Sequence, residues 1–131
     1  MVTINDWLKS FKNLPKVAVH QCGNVEGLCK RATGGRFLFA KVGLEFQPCS
    51  ELIFDVSLNS TDERILKDEE WFKYVCLGVL DVMLVRPLKP INYFKCIINK
   101  IEYHDIDSSP LAFRLAARDA AEKFLDTVKF K

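Results

Sequence analysis

The sequence predicts an α+β two-layer sandwich: a four-stranded sheet, drawn largely from residues 25–58 and 91–103, covered by two helices at about 66–85 and 110–127. Three observations carry this prediction. Branched and aromatic residues crowd the segments from Lys16 to Leu58, separated by glycine and proline turns. Two later segments switch to helical spacing. A further strand-like run, Ile91 to Tyr103, lies between those helical segments.

Taken in order, the chain opens with an amphipathic helix at about 4–13. Ile4, Trp7, Leu8 and Phe11 recur at helical spacing, Thr3 with Asp6 forms a capping-box pattern, and Leu14-Pro15 stops the helix. This divides the chain into an extension, 1–14, and a domain, 15–131. The apolar face of the extension either docks on the domain's own core or serves a protein partner. Strands are expected at Val17-Ala18-Val19, Leu28 to Ala32, Phe37 to Phe46 and Leu52 to Leu58, with turns at Gly23-Asn24, Thr33-Gly34-Gly35 and Gln47-Pro48. Asn59 to Asp62 reads as a loop. In the helix at 66–85, Asp68, Glu69 and Glu70 suit the positive end of a helix dipole, and Phe72, Val75, Cys76, Val79, Leu80 and Met83 make its apolar face. The segment Pro87 to Pro90 ends it. After the strand at 91–103, Ser109 is placed to cap the last helix and Pro110 to occupy its first position. Ala116, Ala117 and Ala120 on that helix would allow a close approach to the sheet.

Length and composition fit one folded domain. The 131 residues are 49% hydrophobic and 27% charged, with 10 phenylalanines and 2 tryptophans, a profile far from that of a disordered chain. The formal net charge of +2 does not announce a nucleic-acid binder. Charge is segregated, however. Residues 25–41 carry a net +3 through Lys30, Arg31, Arg36 and Lys41 against Glu26, while residues 62–70 carry a net −3. The first residues lack the basic and apolar regions of a signal peptide, and no run is long enough to span a bilayer, so a cytoplasmic protein without membrane association is expected. The 5 cysteines then read as reduced, mostly core thiols.

The nucleotide-binding signatures G-x-x-x-x-G-K-[ST] and G-x-G-x-x-G are absent, so no nucleotide is expected. His20, Cys22 and Cys29 lack the spacing of a zinc site, and neither metal nor cofactor is expected. Thr33-Gly34-Gly35-Arg36 has two readings. It is a hairpin turn, or the glycines bring backbone N–H groups to a phosphate that Arg36 clamps. The segment Tyr103 to Ser109 gathers His104, Asp105, Asp107, Ser108 and Ser109 in one strand-to-helix turn. Those are the residue types of a hydrolytic triad, but immediate neighbours rarely converge on one substrate atom. A helix cap accounts for them, and so does a site for ribose hydroxyls or base edges at the helix start.

These pieces stand in a familiar order. Pro15 to Val19, Val25-Glu26-Gly27, Arg31 to Arg36, and Tyr103 to Ser109 followed by Leu111 to Ala117 resemble the fourth domain of translation elongation factor G. The last motif is specific, the glycine turn moderately so, and the likeness covers about residues 15–128. The resemblance implies a ribosomal protein S5 domain 2-like fold with a left-handed βαβ crossover, unusual among parallel connections. It further implies that the glycine turn and the His104 turn share one end of the molecule, the end that reaches the small-subunit decoding centre in the factor. The tip residues it marks are Gly34, Gly35, Arg36, His104, Asp105, Asp107, Ser108 and Ser109, to which the basic segment adds Lys41.

Where the family continues Gly-Gln-Tyr-Gly-His after the glycine turn, this chain reads Phe37-Leu38-Phe39-Ala40-Lys41. The family's Pro-Gly-Glu-Tyr start of its first helix is replaced around Lys67 to Trp71. The sequence holds no GTPase segment, so nothing in it couples nucleotide hydrolysis to movement. The expectation is a non-enzymatic, stand-alone module that binds the ribosomal small subunit or structured RNA through the segments 33–36 and 103–109. Two alternatives remain: a protein-interaction module that kept the fold and lost RNA binding, and a small-molecule enzyme on a related fold.

Overall fold

In the computed structural model, the described residues are 17–18, 22–33, 36–87, 91–104 and 106–127. The expected N-terminal helix at 4–13 lies outside them. Strands β1 (Val17–Ala18), β2 (Gly23–Thr33), β3 (Arg36–Gln47), β4 (Leu52–Val56) and β5 (Ile91–Glu102) form one mixed sheet. Three helices accompany it: α1 (Ser60–Asp68), α2 (Trp71–Met83) and α3 (Pro110–Thr127).

β2 and β3 pair antiparallel without interruption from Gly23↔Phe46 to Thr33↔Arg36. β3 continues antiparallel onto β5, with one register shift at Gly43/Leu44. The other side of β5 carries β4 and the short β1, both parallel to it. The chain therefore leaves β4, passes through α1 and α2, and returns alongside as a parallel neighbour, the crossover a βαβ unit requires.

Strand alternation sorts the residues into two faces. Cys29, Ala40, Val42, Leu44, Phe46, Phe94, Cys96 and Ile98 are buried beneath the helices. The opposite face carries an ion-pair cluster among exposed side chains. There Lys41 pairs with Glu26 at 3.2 Å and Glu102 at 3.7 Å, and Lys100 reaches Glu26 at 3.4 Å. Helix α3 presents a face of small residues, with Ala112, Ala116, Ala117, Ala120 and Ala121 all buried. It rests directly on Gly27 of β2, where an added Cβ would strike the Ala116 carbonyl and stand 2.6 Å from the Ala120 nitrogen. Gly78 of α2 plays the same part against the Arg114 carbonyl, with the Ala117 Cβ 2.8 Å away. Aromatic rings close the core at both ends of α3: Phe113 stacks on Trp71 at 4.4 Å, and Phe124 on Phe46 at 4.3 Å.

The expected helix at 66–85 begins earlier and is broken. Asn59 caps α1, its side chain accepting from the Asp62 N–H at 2.8 Å, so the polar run read as a loop is a helix start. The break falls at Glu70, the one non-glycine residue with positive φ (60°) among the described residues. Asp68 therefore ends α1, Glu69 and Glu70 form the junction, and none of the three lies in the first turn of α2, contrary to the dipole role expected of them.

Three of the five cysteines, Cys29, Cys76 and Cys96, are buried, Cys49 is half-buried and Cys22 is exposed. Burial pushes the Cys76 and Cys96 thiols well above their ordinary range, and that of Cys29 upward to a lesser degree. They behave as small apolar core residues.

Candidate functional site

The described parts of the two segments singled out in the sequence lie toward the same end of the sheet. The β2–β3 ladder runs to the Thr33↔Arg36 pair, flanking Gly34-Gly35. The turn after β5 packs against β3 just inside that point, and the backbone N–H of Phe39 donates to the Asp107 carbonyl at 3.0 Å.

Ser108 holds this junction together. Its hydroxyl donates to the Phe39 carbonyl at 2.7 Å and accepts from the His104 N–H at 2.9 Å. Its own N–H donates to the His104 carbonyl at 3.0 Å, closing the turn. Ser109 caps α3: its hydroxyl accepts from the Ala112 N–H at 3.2 Å and its carbonyl from the Phe113 N–H at 3.1 Å. The turn is thus built from side-chain oxygens answering backbone N–H groups, which explains why Ser108 and Ser109 stand together before a helix.

The His104 imidazole stacks on the Phe39 ring, centroids 4.1 Å apart and planes within 6°. Its side chain is 58% exposed, so the ring is held on one face and open to solvent on the rest. The Asp107 carboxylate lies 3.7 Å from Nδ1, beyond ordinary hydrogen-bond reach. The Ser108 hydroxyl is committed to backbone groups rather than to the imidazole, so these neighbours do not form the nucleophile–base pair of a triad. What the arrangement offers is a planar, partly exposed ring with ring nitrogens able to donate or accept.

Gly34, Gly35 and Asp105 lie outside the described residues. For Arg36 the backbone pairing with Thr33 is described and the side chain is not. Lys41 requires a correction. It lies two residues inward of Phe39, on the open face of the sheet, and its ammonium is held between Glu26 and Glu102. The Glu26 hydrogen bond and the Glu102 charge hold its pKa above the ordinary lysine value, while Glu26 is held below the carboxylate range. Lys41 is a cross-strand tie rather than a free cation at the tip.

Beside the turn lies a shallow groove of about 770 Å³, which sequence reasoning did not identify. Phe37, Leu38, Tyr74, Ile106 and Leu111 line it, with Arg114 on one wall. Ile106 is 93% exposed, and Phe37 and Leu111 are each about half exposed. Arg114 is fixed by a bidentate pair with Asp81 of α2, at 2.7 and 2.8 Å, so it serves as a strut between helices. The apolar run Phe37-Leu38-Phe39 was the available signal; Tyr74 reaches the groove from a helix distant in sequence and gave none.

Among the described residues no group of three or more histidine, cysteine or acidic side chains is placed to hold a metal. No helix among them is long and apolar enough to cross a membrane.

The model of elongation factor G, domain IV, matches residues 15–129, which takes in both halves of the tip and the whole sheet. The chain belongs to the elongation factor G domain IV family. It is 35% identical over 112 residues to elongation factor G of Neorickettsia sennetsu, and 34% identical over 110 residues to that of Paracoccus denitrificans. Those alignments cover 81% and 79% of this chain but only 16% and 15% of the relatives, so the chain spans about a sixth of their length. A crystal structure from Thermus thermophilus superposes with a TM-score of 0.67 at 28% identity, covering 84% of this chain and 16% of that one. The domain IV fold is thus common to sequence and structure, and the α+β sandwich is the observed architecture.

Proposed function

We propose that the chain is a non-enzymatic, cytoplasmic module linked to translation, binding the ribosomal small subunit or structured RNA through the tip formed by residues 33–36 and 103–109. The supporting observation is the joined turn: Ser108 ties β3 to the His104 segment and holds the imidazole on Phe39 with its outer face open. A fixed, exposed ring is suited to stacking on or hydrogen-bonding a nucleobase, and Arg36 beside paired glycines is suited to phosphate. Family membership supports the same reading, since the relatives are elongation factors.

Co-sedimentation with purified small subunits at graded salt tests it. The Arg36→Ala/His104→Ala double variant is expected to bind about tenfold more weakly and with a shallower salt dependence. Absence of binding by the wild-type chain at low salt rejects the proposal.

The exposed Phe37, Ile106 and Leu111 favour one other reading, a protein-interaction module that retains the fold without the RNA role. Deleting residues 1–14, and separately replacing Ile106 with Ser, separates the two: loss of a protein partner with unchanged RNA affinity supports the second.

A further inference from the structure

β2 lies at the edge of the sheet, and its outward backbone groups fall into two halves. In the inner half two of them are taken up by α3. The Leu28 N–H donates to the Asp119 carboxylate at 3.0 Å, and the Glu26 carbonyl accepts from the Lys123 ammonium at 3.1 Å. Asp119 and Lys123 are themselves paired at 3.0 Å, one helical turn apart. This ion pair does for the edge what a neighbouring strand would do, and so blocks pairing there.

The half nearest the tip is open as far as the described residues go. The β2–β3 ladder has no register shift between Gly23 and Thr33, so outward and inward residues alternate strictly along it. Because Glu26 and Leu28 point their backbone groups outward, Lys30 and Ala32 do too. Among the described residues nothing hydrogen-bonds to the outward groups of Lys30 and Ala32 or to the Leu28 carbonyl. A groove of about 350 Å³ runs alongside, between the edge and α3. Three exposed cations flank it: Lys30, Arg31 and Arg118. None has an ion-pair partner among the described residues, whereas the nearby acids are occupied, Asp119 by Lys123 and Glu122 by Arg86. Alternation puts Lys30 and Arg31 on opposite faces of the strand, so the positive charge brackets the edge from both sides.

We propose that the edge from Leu28 to Ala32 accepts an extended acidic peptide segment as an added strand, antiparallel or parallel to β2. The alternating free acceptors and donors match a peptide backbone, and the bracketing cations match acidic side chains on either of its faces. A nucleic-acid strand would satisfy the cations but not the outward carbonyls, which repel phosphate. A second copy of this chain would oppose Lys30, Arg31 and Arg118 to their own equivalents, a like-charge contact. This site is separate from the tip and does not depend on the reading given for it.

The full-length chain is titrated into a fluorescein-labelled, acetylated hexapeptide of alternating glutamate and valine, and anisotropy is read at low salt. Saturable binding is expected, weakened about tenfold by Arg31→Glu and by N-methylating the peptide residues that face the edge. Amide exchange at Lys30 and Ala32 should slow on binding. Ala32→Pro should also weaken binding: it removes an outward N–H at an edge position where proline is tolerated, and Arg31→Glu gives the second reading should that variant misfold. The Arg36→Ala/His104→Ala variant should bind the peptide as wild type does. No binding at about 1 mM peptide, equal binding of the N-methylated peptide, or equal binding of the lysine–valine counterpart overturns the proposal. So does protection of the same amides by a uridine oligonucleotide, or concentration-dependent dimerisation that occupies the edge.

Discussion

Replacing Gly27 with alanine tests the central packing argument most directly. The added Cβ would strike the Ala116 carbonyl oxygen and lie 2.6 Å from the Ala120 nitrogen and 2.8 Å from its Cβ. Two of those obstacles are helix backbone, which has no rotamer to yield. Helix α3 must withdraw by roughly 1 Å to restore ordinary contact distances, and it is anchored by five buried alanines together with Phe113 and Phe124. Overpacking of this kind costs about 1–3 kcal/mol, with backbone obstacles at the upper end. Alanine recovers about 0.5–1 kcal/mol of strand preference over glycine. The net expectation is a loss of about 2 kcal/mol. In urea unfolding followed by circular dichroism the midpoint should fall with an unchanged slope, and the melting temperature should drop by roughly 8 °C for a domain of this size. A variant within about 0.5 kcal/mol of wild type would refute the claim that α3 sits directly on the strand backbone.

Three further outcomes are expected. Ser108→Ala removes the hydroxyl that bridges Phe39 and His104 and should cost about 1–2 kcal/mol, with faster amide exchange at His104; unchanged exchange would deny Ser108 its bridging part. Glu70→Gly relieves a left-handed residue and should stabilise by about 0.5–1 kcal/mol in thermal melts, and a destabilised variant would mean the junction is not strained. Glu26, hydrogen-bonded by Lys41 and Lys100, should titrate below 4.5 by NMR. Because the folded value is depressed, the stability it contributes is present above the unfolded value and lost as pH falls through the folded one; a midpoint at or above 4.5 in the wild type would contradict the network.

Much of this architecture is legible along the chain because its periodicities are strict. Alternation from Ala40 to Phe46 marks a strand with one buried face, and the alanines at 112, 116, 117, 120 and 121 mark a helix that packs closely. The junction at Glu70 was hidden because acidic residues suit a helix start, and residues 68–70 end one helix while leading into the next. Lys41 looked like a free cation because a one-dimensional charge count cannot show Glu102 opposite it, sixty-one residues away. The groove at the tip was out of reach for a similar reason, since Tyr74 and Leu111 meet there only through the tertiary fold. The His104 turn was readable because its logic is local: two hydroxyls answer nearby backbone N–H groups.

The seating of α3 carries a consequence for kinetics. The helix begins at the Ser109 cap, within the tip itself, and its middle is wedged between Gly27 and Gly78. The His104 turn therefore leads directly into a helix seated against backbone at both glycines. On the function proposed above, a His104 turn mounted this way would give up little conformational freedom on engaging its target. Capture through that turn should then be set by encounter, charge steering and ionic strength.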